Sequence, residues 1–167
     1  DGPGITVAEP NGKSIAIVGS GPAGLTAAWQ LARLGYRVRM FEAAARPGGF
    51  LRHAIPAYRL PHHVVEQDIA NVTALGVEIV TNHPVRDLDA LKNEGYDAVL
   101  VATGTPRSMA LGVPGEDAIG VFTGLDFLRK VSLDELPDLT GRAVVVVGGG
   151  NVAMDAARTA RRLGASE

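Results

Sequence analysis

SIAIVGSGPAGLTAAWQLARLGYRVRMFE, at Ser14–Glu42, is the stretch that decides the fold of this chain. Its β-branched, apolar start at Ser14–Val18 predicts a buried strand. The alanine-rich run at Leu25–Leu34 predicts a helix, which a glycine ends, and Tyr36–Phe41 predicts the next strand. A strand, a helix and a strand joined by short connections form a right-handed βαβ unit, so the two strands are expected to be parallel.

The turn GSGPAG between the first strand and the helix has the glycine spacing of a dinucleotide site. Gly19 and Gly21 are predicted to take backbone angles that are unfavourable for other residues. Because they have no Cβ, they are also expected to let a pyrophosphate reach the main chain. Gly24 lets the helix lie close to the strand, and the helix N-terminus offers N–H groups to phosphate. Glu42 ends the second strand, where an acid accepts hydroxyls of an adenosine ribose. The alternative is a nucleotide-free α/β protein in which Glu42 is a surface charge.

A second copy of this pattern occupies Arg142–Glu167, RAVVVVGGGNVAMDAARTARRLGASE. It predicts a buried strand at Ala143–Val147 and a helix at Val152–Leu163. The spacing between them is G-x-G-x-x-A, made by Gly148, Gly150 and Ala153. A tight turn without a ligand is the alternative here. Two such turns suggest two dinucleotides and electron transfer between them.

The rest of the chain alternates strands and helices, which predicts an α/β fold with a mostly parallel sheet. Residues 1–13 are expected to form a linker and Ala43–Pro61 a loop. The further predicted elements are helices at Pro61–Leu75, Asp87–Asn93 and Leu125–Val131 and strands at Val77–Val80 and Asp97–Ala102.

Composition restricts the class of protein. Hydrophobic residues make up 46% and charged residues 20%, near the averages of globular proteins, and the formal net charge is −2. Neither binding to nucleic acid nor association with a membrane is therefore predicted. The apolar runs are too short to span a bilayer and no secretory pattern opens the chain, so a cytoplasmic location is expected. Cysteine is absent, which excludes disulfides, thiolate catalysis and cysteine-ligated clusters within these residues.

No catalytic acid, base or nucleophile and no metal site are predicted. In a flavin–nicotinamide enzyme the cofactors carry the hydride chemistry, so this absence is compatible with catalysis. The histidines are expected to be solvated, and two adjacent ones at a helix start point in different directions. They are His53, His62, His63 and His83.

Five motifs, in chain order GSGPAGL, RPGG, IPAYRLP, DAVLVATG and GGGNVAMDAA, resemble the small subunit of glutamate synthase and its relatives, among them the flavin region of dihydropyrimidine dehydrogenase. The resemblance begins near Lys13 and continues to the end of the chain. It implies an NAD(P)H-dependent flavoprotein oxidoreductase subunit that passes electrons from NAD(P)H through FAD to iron–sulfur centres or a partner subunit. The implied fold is a Rossmann-like FAD-binding domain followed by the first strand and helix of a second dinucleotide-binding domain.

The resemblance also implies which residues bind each cofactor. It places Gly19, Gly21, Pro22, Ala23 and Gly24 on the FAD pyrophosphate, Glu42 on the ribose, Gly49 and Phe50 along the flavin, Arg59 on the cofactor, Val85 near the adenine, and Thr103 and Gly104 beside the flavin chain. It places Gly149, Gly150, Asn151 and Val152 on the pyrophosphate of the nicotinamide nucleotide. From physical chemistry alone, Arg59 either neutralises a phosphate, polarises a flavin edge, or is an ordinary surface arginine.

The expected domains are part of an FAD-binding domain at residues 14–106 and the start of an NAD(P)H-binding domain at residues 107–167. The resemblance implies that this chain is a piece of a longer protein, and the piece by itself is expected to be inactive. Unpaired sheet edges make a dimer or a companion chain an expected partner. Two alternatives to the electron-transfer function are a nucleotide-binding module without turnover and a dehydrogenase that uses NAD alone.

Overall fold

The computed structural model describes residues 6–136 and 138–166. They divide into two compact units. The first unit holds the chain up to Leu51 together with His62–Gly104, and the second holds Arg52–Pro61 together with the chain from Thr105 onward. The predicted linker at residues 1–13 lies partly outside the described residues.

The first unit contains a parallel sheet, which confirms the predicted α/β class with a Rossmann-like parallel sheet and flanking helices. Over the described residues the strand order is β3-β2-β1-β4, and every pairing is parallel. The register of β1 with β2 starts at Ser14 opposite Arg37. In chain order the elements up to Gly104 are β1 (Ser14–Val18), α1 (Pro22–Arg33), β2 (Arg37–Phe41), α2 (Phe50–His53), α3 (His62–Thr73), β3 (Glu78–Val80), α4 (Leu88–Asn93) and β4 (Ala98–Val101). The last two residues of α2 belong to the second unit.

The two faces of the sheet bury different side chains, because successive residues of a strand point to opposite faces. On one face Ile15 and Ile17 join the apolar sides of α1 and α3. On the other face Ala16 and Val18 pack with Phe41 and Leu91. This core fixes the carboxyl end of β1, where the first glycine turn begins.

Local chemistry sets the ends of the helices. The helix α1 begins with Pro22 at its first position, three residues before the predicted start, because proline has the backbone angle of a helix and no N–H to lose there. The helix α4 begins after Asp87, whose carboxylate accepts hydrogen bonds from the N–H groups of Asp89 and Ala90 at 2.9 and 3.3 Å. The segment Ala43–Pro61, predicted as a loop, contains one turn of helix, α2.

The second unit contains the helices α5 (Gly124–Ser132) and α6 (Asn151–Arg162). The Thr123 hydroxyl accepts a hydrogen bond from the Asp126 N–H at 3.3 Å and so caps α5. The buried hydrophobic side chains described in this unit form one apolar cluster, made by Phe127, Leu128, Leu139, Ala156, Ala160 and Ala165.

The prediction of a strand at Ala143–Val147 is wrong. The segment pairs with none of the described strands. Val144 packs against the cluster of α5 and α6, whereas Val145 and Val147 are 88% and 78% exposed. A strand exists only through hydrogen bonds to a neighbouring strand, and the apolar pattern of the sequence does not report on that neighbour.

Across the described part of the chain, none of the helices has both the length and the apolar character needed to cross a lipid bilayer.

Candidate functional site

The first glycine turn is fixed by close backbone packing. Gly19 has a φ of +104°, and a Cβ at this position would overlap the carbonyl oxygen of Ala102 and lie 2.8 Å from its carbonyl carbon. A Cβ at Gly24 would overlap the carbonyl oxygen of Gly19 and lie 3.3 Å from the terminal methyl of Met40. Real Cβ atoms do not approach backbone this closely, so these two glycines hold α1 and the end of β4 against the turn.

Gly21 differs from Gly19, and the prediction that it takes backbone angles unfavourable for other residues is wrong. Its φ is −70° and its ψ is −177°, which any residue can adopt. A Cβ added there would meet no described atom within 4 Å. Neither strain nor packing within the protein therefore explains a glycine here, whereas the approach of a ligand to the main chain would.

The start of α1 is exposed as well. Pro22 and Ala23 are exposed, and no side chain caps the helix at Gly21. The first N–H groups of a helix have no partner inside it and carry a partial positive charge. The turn therefore offers N–H donors at a place where an anion can reach them.

Glu42 lies beside this turn and is held there by hydrogen bonds. Its Oε2 accepts from the N–H of Ser20 at 3.0 Å and from the Ser20 hydroxyl, and its Oε1 accepts from the N–H of Ala44 at 2.8 Å. A carboxylate has about four acceptor positions. Among the contacts of the described residues, one acceptor position therefore remains, on Oε1.

Ser20 belongs to the site but is not among the predicted site residues. It is fully buried, and its hydroxyl both donates to Glu42 and accepts from the Gly48 N–H at 3.1 Å. It thus links the glycine turn to the acid and to the Gly48–Gly49 pair. A serine between two glycines of a phosphate turn was the available signal.

The other predicted residues of the first unit lie around the same strand ends or next to them. A Cβ on Gly49 would be 2.9 Å from the Cα of Gly21, and one on Gly19 would be 3.1 Å from the Cα of Thr103. Gly104 has a φ of +67° and open space around it. Phe50 is 38% exposed at the start of α2, and Val85 packs on the cluster around Phe41.

The second turn has nearly the same backbone as the first. Gly148 has a φ of +124°, the counterpart of Gly19, and Gly150 has a φ of −79° and a ψ of 176°, the counterpart of Gly21. A Cβ on Gly149 or Gly150 would meet no described atom within 4 Å, and no side chain caps α6. Asn151 and Val152 are exposed at the start of that helix.

Arg59 lies in the second unit, where its Nη1 is 2.6 Å from Oδ2 of Asp155 on α6. Asp155 is not among the predicted site residues. Of the histidines, His63 and His83 are exposed as expected, whereas His53 and His62 are partly buried. Within residues 6–136 and 138–166, no group of three or more histidine, aspartate and glutamate side chains is placed to hold a metal ion.

Replacing Ser20 with alanine is expected to loosen Glu42 without unfolding the first unit. The change removes the hydroxyl bonds to Glu42 and Gly48, and a lost hydrogen bond to a charged group lowers stability by about 1.5–3 kcal/mol. Chemical denaturation would measure this loss, and equilibrium binding would show weaker nucleotide affinity. Ser132→Ala removes an exposed hydroxyl bond on α5 and is the matched control. Equal effects of the two changes would contradict the role given to Ser20.

Comparison with known proteins assigns the chain to a family. The family model for pyridine nucleotide-disulphide oxidoreductase matches residues 13–166. The chain is 50% identical to the NADP(+)-dependent formate dehydrogenase subunit beta of Moorella thermoacetica over 97% of its own length, and 41% identical to the NADH glutamate synthase of Schizosaccharomyces pombe over 95%. It spans 24% of the first relative and 8% of the second.

The fold is also similar to parts of solved structures. The chain resembles Mycobacterium tuberculosis FprA in complex with NADPH, with a TM-score of 0.75 and 31% identity over 90% of this chain and 36% of that one. The resemblance that the five motifs indicated is confirmed by these matches. The chain belongs to the pyridine nucleotide-disulphide oxidoreductase family.

Proposed function

We propose that this chain is the FAD-binding part of an NAD(P)H-dependent oxidoreductase subunit, with FAD at the first turn and the nicotinamide nucleotide at the second. The observation that carries the proposal is the matched pair Gly21 and Gly150. Both have ordinary backbone angles and open surroundings, and both stand at the N-terminus of a helix that no side chain caps. A pyrophosphate fits both places, because it needs close approach to the main chain and free N–H donors.

At the first turn, the residues of the chain would bind and orient FAD. The N-terminus of α1 would receive the pyrophosphate, with Gly21, Pro22 and Ala23 closest to it. The free acceptor position on Glu42 would take one ribose hydroxyl. When bound, FAD would supply the redox chemistry, and the protein would hold it in place.

Around this centre, the chain would enclose the rest of the cofactor. Gly49 and Phe50 would lie along the flavin, and Thr103 and Gly104 beside its chain. Val85, which packs on the side of the sheet that carries Phe41, would contact the adenine.

At the second turn, Gly149 and Gly150 would approach the pyrophosphate of NAD(P)H, with Asn151 and Val152 at the first turn of α6. The family membership supports this assignment, and so does the backbone that this turn shares with the first. The domain assignment follows from it, with residues 14–106 serving FAD and residues 107–167 beginning the nicotinamide domain.

Electrons would leave the flavin for iron–sulfur centres or a partner subunit, as in a glutamate-synthase-like enzyme. The supporting facts are that the formate dehydrogenase relative is named as a subunit and that glutamate synthase is among the relatives. The chain itself has no cysteine, so cysteine-ligated centres would belong to other residues or to a partner.

Flavin absorbance of the full-length protein tests the proposal. We expect it to purify yellow, with an FAD spectrum that NADPH or NADH bleaches under anaerobic conditions. A colourless protein that does not take up added FAD and turns over NAD would favour the NAD-only dehydrogenase. A protein that binds nucleotide but bleaches with neither NADPH nor NADH would favour a binding module without turnover.

A further inference from the structure

Asp155 is an almost buried acid on α6 that the proposed cofactor sites do not use. Its side chain is 10% exposed, and its Oδ2 lies 2.6 Å from Nη1 of Arg59. The Tyr58 hydroxyl is 3.4 Å from its Oδ1. An almost buried carboxylate needs such partners, because an unpaired buried charge is strongly unfavourable.

One face of α6 holds the whole Tyr58–Arg59 segment. Asp155, Arg158 and Arg162 are spaced three and four residues apart, so they lie along the same side of the helix. The guanidinium groups of Arg158 and Arg162 lie over the ring of Tyr58, at 5.1 and 4.0 Å from its centroid. Cation–π contacts of this kind fix the ring, so Arg59 is presented to Asp155 by a segment that is itself held on the helix.

The position of Asp155 along α6 raises an electrostatic difficulty for a bound pyrophosphate. The helix begins at Asn151, directly after the second glycine turn. With a rise of about 1.5 Å per residue, Asp155 lies about 6 Å along the axis from that first residue. A bare carboxylate at this distance would repel an anion at the helix N-terminus and would lower its affinity on the order of tenfold.

We propose that Arg59 is the charge-compensating residue of the second turn: by pairing with Asp155 it removes the repulsion between that acid and the pyrophosphate of a nicotinamide nucleotide. This inference rests on the proposed function, since it takes that nucleotide as the ligand of the second turn. It gives Arg59 a role beside Asp155 on α6, whereas the family resemblance implied a contact with FAD. Asp155 in turn holds the Tyr58–Arg59 segment on the helix.

A double-mutant cycle in the full-length protein tests the proposal. The variants are Arg59→Ala, Asp155→Asn and the two combined, and the readout is the equilibrium dissociation constant of NADP+ and NAD+, with FAD content measured in parallel. We expect Arg59→Ala to raise the constant of the preferred nucleotide about tenfold. Asp155→Asn is expected to leave it at the wild-type value or below, and the combined variant to return it to within about threefold of wild type, because no uncompensated acid remains.

Two further measurements separate charge compensation from structural damage. Arg129→Ala removes an exposed arginine of the same unit and should leave the constant unchanged. The Arg59→Ala defect should shrink as salt rises, because the Debye length falls from about 10 Å at 0.1 M to about 3 Å at 1 M. If Arg59→Ala fails to fold, Arg59→Gln repeats the comparison with a side chain of similar length.

The proposal would be overturned if the combined variant bound nucleotide as weakly as Arg59→Ala, because Arg59 would then contact the nucleotide directly. It would also be overturned if Arg59→Ala lost FAD and kept its nicotinamide affinity, because Arg59 would then serve the first turn. Wild-type protein that binds no nicotinamide nucleotide would refute the proposed function itself, and it would be seen before any variant is compared.

Discussion

Replacing Gly19 with alanine is expected to destabilise the first unit by about 3 kcal/mol and to abolish FAD binding. Two effects add. A non-glycine residue in the left-handed region costs about 1–2 kcal/mol, and Gly19 has a φ of +104°. The new methyl would also overlap the carbonyl of Ala102, and overpacking of this kind costs about 1–3 kcal/mol. Chemical denaturation of the apoprotein measures the loss, and flavin absorbance after purification reports on the cofactor.

Gly76→Ala is the matched control for this prediction. Gly76 has a φ of +86°, but a Cβ there would meet no described atom within 4 Å. It should therefore show the backbone strain alone, about 1–2 kcal/mol, with the FAD site intact. If Gly19→Ala were no more destabilising than Gly76→Ala, the close contact between the glycine turn and the end of β4 would not have the energetic weight that we assign to it.

The sequence predicted the sheet of the first unit well because each element carries its own signal. The strand at Ser14–Val18 is an unbroken apolar run and appears with the same bounds in the structure. The strand at Ala143–Val147 has an equally strong apolar pattern, yet it forms no ladder with the described strands. The difference lies in the partner. The apolar pattern of a segment predicts its tendency to be buried, whereas its hydrogen-bonded pairing depends on residues elsewhere in the chain.

The candidate site likewise combines local patterns, which the sequence predicts, with contacts between distant residues, which it does not. The glycine spacing and Glu42 are local patterns, so the sequence identified the turn and its acid. The buried hydroxyl of Ser20 and the pairing of Arg59 with Asp155 join residues that are distant in sequence, 96 positions apart in the second case. Spacing cannot indicate such contacts. It also cannot separate a glycine that packing demands, such as Gly24, from one that only a ligand would demand, such as Gly21.

Replacing Gly21 with alanine is expected to lower FAD affinity on the order of 100-fold or more while the fold is kept. The position has an ordinary φ of −70° and open space, so the protein accepts the methyl. Exchange of glycine for alanine at a helix N-cap costs roughly 0.5–1 kcal/mol. A bound pyrophosphate would instead be pushed away from the N–H groups of α1. Hydrogen bonds to charged groups contribute about 1.5–3 kcal/mol each, so the loss of two corresponds to a factor of at least 100.

Gly150→Ala is the reciprocal change at the second turn, where the backbone has nearly the same angles. It should weaken NADP+ or NAD+ binding by a similar factor and leave FAD content unchanged, whereas Gly21→Ala should do the reverse. Titration of each nucleotide against both variants, with melting temperatures to show that each is folded, measures the crossed pattern. Loss of FAD in both variants, or in neither, would contradict the assignment of one nucleotide to each turn. The crossed result would mean that Gly21 and Gly150 each serve the binding of their own ligand, because the folded chain alone requires a glycine at neither position.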